Sequence, residues 1–162
     1  MTAGNPSYRR SLQPHVSQLM RKRTKCRIWA LQAFYSSLLT GKDTDQALSE
    51  FFEHRRIAPH NSEFTVNLVH RLSANLERID SLLERHLDNW SLQRLAVLDR
   101  IMIRLAVAEF LFLEDVPPKV TINEYVQLAH MFGTQDSPRF VNGVLDAVLK
   151  SLEKNGTAVS LQ

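Results

Sequence analysis

Apolar residues return every three or four positions along most of this chain, the spacing of helices that each bury one face. From about Ser17, the positions Leu19, Ile28, Leu31, Phe34, Tyr35 and Leu38 predict a helix ending near Gly41, a residue suited to a C-cap. Residues 1–16 have no such period and contain Pro6 and Pro14, so they read as a flexible basic arm. Asp43 or Thr44 can cap a second helix carrying Leu48, Phe51 and Phe52, which Pro59 closes. Between Asn61 and Leu87 one stripe runs through Phe64, Leu68, Leu72, Leu76, Ile79, Leu83 and Leu87. It predicts one long helix, or two with a bend near Ser73–Asn75.

Ser91 is a candidate cap for the next helix, "LAVLDRIMIRLAVAEFLFL" (95–113), which is apolar over most of its circumference. A helix of that kind belongs at the centre of a bundle. "EDVPPK" interrupts the chain, and Val120 or Thr121 begins a helix through "INEYVQLAHMF" that Gly133 ends. In the last segment, "DSPRFVNGVLDAVL" (136–149), Ser137 reads as an N-cap with Pro138 at the first helical position. Phe140, Val141, Val144, Leu145, Val148, Leu149 and Leu152 make it amphipathic. Asn142-Gly143, a common turn pair, therefore lies inside a helix, where glycine costs roughly 1 kcal/mol relative to alanine. A close approach between helices is the expected return, because a residue without Cβ lets backbones come nearer. No strand-like alternation persists, so the fold class is all-α: residues 17–154 as one helical domain, with 155–162 as a flexible tail.

At 162 residues the chain can bury a real core in one domain. Its single cysteine, Cys26, rules out an internal disulfide framework and favours a reducing compartment. Net charge is +3, but residues 1–42 hold eight Lys/Arg and no acid, while the remainder has a net of −5. A cationic end on an acidic body suits a polyanionic partner.

Sequence motifs for catalysis are absent: there is no GxxxxGK[ST], GxGxxG, HExxH or GxSxG. The six histidines are scattered, and His70 and His86 read as structural. Neither a metal site nor a cofactor is expected. Glu109, alone among the carboxylates, lies deep in an apolar run, and a buried, partner-satisfied role is expected for it. The positive signal is "RKRTKCRIWALQAFY" (21–35): Arg23 and Arg27 share a helix face and Lys22 and Lys25 flank them, a ridge suited to phosphates. Tyr35, about two turns beyond Arg27, is either a stacking platform for unpaired bases or part of the core.

Four blocks, "ALQAFY" (30–35), "RLAVAEFLF" (104–112), "VPPKVTINEYVQLAHMFG" (116–133) and "DSPRFVNGVLDAVL" (136–149), together resemble the NusB family of bacterial transcription antitermination factors. The likeness runs from about Arg21 to Leu152. It implies two small helical bundles packed into one compact domain and a cytoplasmic, non-enzymatic protein without cofactor. Its implied partners are boxA RNA, the ribosomal protein NusE and the RNA polymerase antitermination complex, with no membrane; it also allows a homodimer through the partner surface. Position by position, it implies RNA contacts at Arg23, Lys25, Arg27, Tyr35, Asp136 and Phe140, with the start of the last helix beside the basic first one. Phe140 would be exposed for stacking, and Asp99 and Arg104 would meet NusE. Thr24, Ile28 and Pro138 depart from the family pattern. Two other readings are an RNA-binding domain like the one that precedes some RNA cytosine methyltransferases, and a protein scaffold without RNA.

Overall fold

The basic first helix is fixed by the contacts it makes on either side. A computed structural model describes the backbone of residues 6–88 and 90–156 and the side chains of 21–88 and 90–156. Helix α1 (Pro6–Thr40) packs on α2 (Thr44–Arg55) and α3 (Pro59–Ala74) to form the first bundle. Helices α4 (Leu76–Glu84), α5 (Val97–Phe112), α6 (Pro118–Phe132) and α7 (Ser137–Lys154) form the second. Helix α5 belongs to both, touching α1 and α3 on one side and α4, α6 and α7 on the other. The described residues contain no strand, and none of their helices is long and apolar enough to cross a membrane.

The apolar helix expected at the centre is there. Ile101, Met102, Ile103, Leu105, Ala106, Val107 and Ala108 of α5 are fully buried. At about 1.5–3 kcal/mol for each large side chain removed from water, this one helix anchors the core. A single apolar cluster joins it to Leu31 and Phe34 of α1, Leu68 and Leu72 of α3, Leu128 of α6 and Leu145 of α7.

Several boundaries differ from those the sequence predicts. Helix α1 begins at Pro6 rather than Ser17. Arg, Leu and Gln favour helix there, and a helix needs no apolar periodicity to form. The stripe from 61 to 87 is two helices, broken at Asn75, whose side chain donates to the Arg71 carbonyl at 2.8 Å. Ser91 precedes a short 3₁₀ turn (Leu92–Arg94), and α5 starts at Val97 without a side-chain cap. Pro118 opens α6 at its first turn, where a proline lacks nothing, so Thr121 is left free to face inward. Asp136, not Ser137, is the N-cap of α7; the Ser137 hydroxyl accepts from the Thr134 amide at 2.9 Å instead. Asp43 caps α2 as expected, accepting from the Gln46 amide at 2.8 Å.

Gly143 does not serve a close approach. It is exposed, as is Asn142, and a Cβ there would meet nothing within 4 Å. The buried stripe of α7 runs through Val141, Val144, Leu145 and Val148, which turns 142 and 143 outward. Gly133 is the tight position: a Cβ there would run into the Ser137 side chain and lie 2.8 Å from the Ala129 carbonyl. In urea unfolding, Gly143→Ala should raise stability by about 1 kcal/mol. Gly133→Ala should lower it by about 1–3 kcal/mol.

Candidate nucleic-acid interface

Arg27 is not on the surface. Its side chain keeps 2% exposure, and Nε and Nη2 donate to both oxygens of Glu109 at 2.7–3.2 Å. Glu124 stands 3.9 Å from Nη1, the Thr121 hydroxyl donates to Glu109 at 3.3 Å, and the guanidinium lies 5.1 Å above the Phe64 ring. Burial opposes the Arg27 charge, but the hydrogen bonds and charge of Glu109, with Tyr125 and Glu124 nearby, hold its pKa above the ordinary arginine value. Tyr125 is fully buried, and burial together with the Glu109 carboxylate pushes its hydroxyl well above the usual range. The expectation for Glu109 holds; Arg27 is corrected from phosphate ligand to its buried partner.

The cationic edge that remains is narrower. Arg21, Lys22 and Lys25 are exposed on α1. Arg23 is partly exposed, paired with Asp115 at 2.5 Å and lying 5.0 Å over Phe64. Lys22, Arg23, Cys26, His60 and Phe64 line an open cleft of about 370 Å³ between α1 and α3. Thr24 is half-buried and donates to Glu124 at 2.8 Å, so the departure there falls beneath the surface. Ile28 packs against the core and Pro138 is buried.

A second cleft, of about 360 Å³, opens where the start of α7 meets the start of α5. Its walls include Trp90, Arg94, Leu95, Asp99, Asp136 and Phe140. Phe140 is half-buried against the core and shows the cleft only part of its ring, rather than standing free. Asp99 lies with the expected RNA residues and apart from Arg104, whose guanidinium binds Asp80 of α4 at 2.7 and 2.8 Å. Five residues of helix turn the two to different sides of α5.

The two clefts are not adjacent. The pairs Arg23–Asp115 and Arg27–Glu109 run α1 antiparallel to α5, so the basic edge sits at the end of α5 and the Phe140 cleft at its beginning. Helices α1 and α7 share no extended packing, and α5 and α6 separate them. The start of α7 therefore does not lie beside the basic helix end. Tyr35, half-buried, is about 12 Å along α1 from Arg27, toward the Phe140 end. Phe64, expected only as part of an apolar stripe, lies under two arginines, and Trp90 and Arg94 join the second cleft; an aromatic in a short polar connection, as in "DNWS", is the signal that marks Trp90. The described residues hold no group of three His, Cys, Asp or Glu that could hold a metal ion.

Residues 24–150 match the model of the NusB family. The chain is 42% identical over 130 residues to a transcription antitermination protein NusB of Saccharopolyspora erythraea, covering 80% of this chain and 87% of that protein. It is 33% identical over 135 residues to the Chloroherpeton thalassium protein of the same name, covering 83% of this chain and 64% of the other. Its fold is similar, at 32% identity and a TM-score of 0.74, to a crystal structure of the antitermination factors NusB and NusE in complex with double-stranded RNA, covering 82% of this chain and 98% of that one.

Breaking a buried ion pair from one side leaves an unpaired charge. Arg27→Ala should therefore cost about 3–5 kcal/mol in chemical unfolding, far more than the surface change Lys25→Ala. Tyr125 sets an alkaline limit as well: its hydroxyl ionises above its ordinary value of 10.0 once unfolded but not while folded. A pKa raised by folding gives stability that is complete below the unfolded value and lost as pH rises beyond it. Between roughly pH 10 and 12, Tyr125→Phe should reduce the fall in unfolding free energy by about 1.4 kcal/mol per pH unit.

Proposed function

The chain belongs to the NusB family, and on that footing we propose that it is a transcription antitermination factor that binds boxA-type single-stranded RNA together with the ribosomal protein NusE. The complex acts with RNA polymerase to carry transcription through terminators, notably in ribosomal RNA operons. The observation that carries this reading is the likeness over 98% of a NusB chain that was crystallised with NusE and RNA. The protein works in the cytoplasm by binding, without catalysis or cofactor.

On this reading the RNA surface is extended and has two parts. Lys22, Arg23 and Lys25, with Arg21 beside them, hold phosphates near the middle of α1, beside α3. Tyr35, Asp136 and Phe140 receive bases toward the second cleft. Arg27 acts beneath them, keeping α1 in register. NusE docks along α4 and α5, at Asp99 and at Arg104, which pairs with Asp80 in a part-buried contact, while the exposed Glu77 and Glu84 present negative charge to a basic ribosomal protein.

Fluorescence anisotropy with labelled RNA tests this directly. The protein with NusE should bind boxA RNA at least tenfold more tightly than a scrambled strand, and Phe140→Ala should remove most of that gain, since each stacked base contributes about 1–3 kcal/mol. Equal affinity for the two strands would refute the function. Discrimination left intact in Phe140→Ala would refute the site.

A further inference from the structure

Arg71 and Arg78 converge on one aromatic ring. Arg71 belongs to α3 and Arg78 to α4, on either side of the break at Asn75. Their guanidiniums lie 5.7 and 5.9 Å from the centre of the Phe112 ring, at the end of α5. Phe112 is half-buried and packs against the core, so the ring is a fixed platform, while both arginines are exposed. Arg23, Arg27 and Arg104 each meet a carboxylate. Arg71 and Arg78 meet none among the described residues. Glu114 and Asp115 follow close after Phe112, but Asp115 is taken by Arg23 and Glu114 pairs with neither arginine. A guanidinium over a ring keeps its charge and its outward N–H groups, and the stacking holds it ready for the flat, bidentate grip that suits a phosphate.

We propose that Arg71 and Arg78, held by Phe112, form a second phosphate-binding station, which takes the backbone of the RNA strand flanking the boxA element. The proposal rests on the RNA-binding function above and adds a stretch of the path that the residues assigned there do not cover. Continuity with the cationic edge points to RNA. Phe64, which lies under Arg23, and Arg71 are seven residues apart on α3, two turns or about 10 Å along one face. The Arg23–Asp115 pair and Phe112 share the same end of α5. A strand passing from Arg23 along α3 therefore reaches two unneutralised cations about two helical turns on. Glu77 and Glu84, on a different face of α4, suit a basic protein and mark the limit of that path.

The test measures affinity in the presence of NusE, across a range of salt, for boxA RNA alone and for boxA with a single-stranded flank of about ten nucleotides on either end. One flank should tighten wild-type binding at least about fivefold. Arg71→Ala/Arg78→Ala should abolish that gain, lower the salt slope on flanked RNA by about 1–2, and leave bare boxA unchanged. Arg71→Lys/Arg78→Lys should keep the slope and lose part of the gain, because ammonium groups retain the charge without the flat fork. That split separates phosphate contact from a merely structural stacking role. Flanks that add nothing to wild type, with boxA still preferred over a scrambled strand, would overturn the station and spare the function. So would an alanine pair that weakens NusE titrated without RNA, because a protein would then be the occupant. Equal affinity for flanked boxA and a flanked scrambled strand would refute the boxA function, and a flank gain kept in both would leave the station standing.

Discussion

Arg27 and Glu109 meet where the two helical bundles join, and the placement of Arg21, Lys22, Arg23 and Lys25 on α1 follows from that contact. The bidentate pair fixes both the rotation of α1 and its position along α5. With Arg27 turned inward, the helical period directs Arg21, Lys22 and Lys25 outward and leaves Arg23 at the rim, held by Asp115 and Phe64. An apolar pair of equal volume would be about as stable as the buried ions. What the ions add is register: a slide of α1 along α5 would strand two charges in the core, whereas an apolar stripe would tolerate it.

That register spreads the proposed RNA surface out. From Glu109 back to Asp99 is ten residues of α5, about 15 Å, so the cationic edge and the Phe140 cleft lie well apart, toward opposite ends of the central helix. A folded, compact ligand would reach one or the other. An extended single strand reaches both, with phosphates at one end and a splayed base at the other. The half-buried state of Phe140 suits this role, because a ring fixed by the core keeps its stacking face in place before the RNA arrives.

Much of this was legible in the chain. The three-to-four period located every helix, and the apolar run around Ile101–Phe110 announced the buried centre. Helix starts were harder, since proline and aspartate both permit several caps, and α5 begins with no side-chain cap at all. Arg27 was misread because a cluster of cations looks alike whether its helix turns them in or out. The corrective signal is in the chain: residues 27, 30, 31 and 34 form the buried stripe of α1, so among its described side chains Arg27 is the one cation on an apolar face. Glu109, deep in the apolar run of α5, is its counterpart, and a cation and an anion buried on facing helices are expected to pair. Gly143 shows the same lesson in reverse, because the stripe through Val141, Val144 and Val148 excludes it from any contact. The meeting of Arg71 and Arg78 on Phe112 could not be read this way, since it is a property of packing among three separate helices.

The salt dependence of boxA affinity tests the division between buried and surface arginines most directly. It is measured for wild type, for Lys22→Ala/Lys25→Ala, and for the apolar exchange Arg27→Met/Glu109→Leu. If Arg27 only sets register, the apolar exchange leaves the slope of log affinity against log salt unchanged, and the lysine pair lowers it by about 1–2. A slope that falls by about 1 in the apolar exchange, with the fold intact, would show Arg27 on a phosphate and contradict the account.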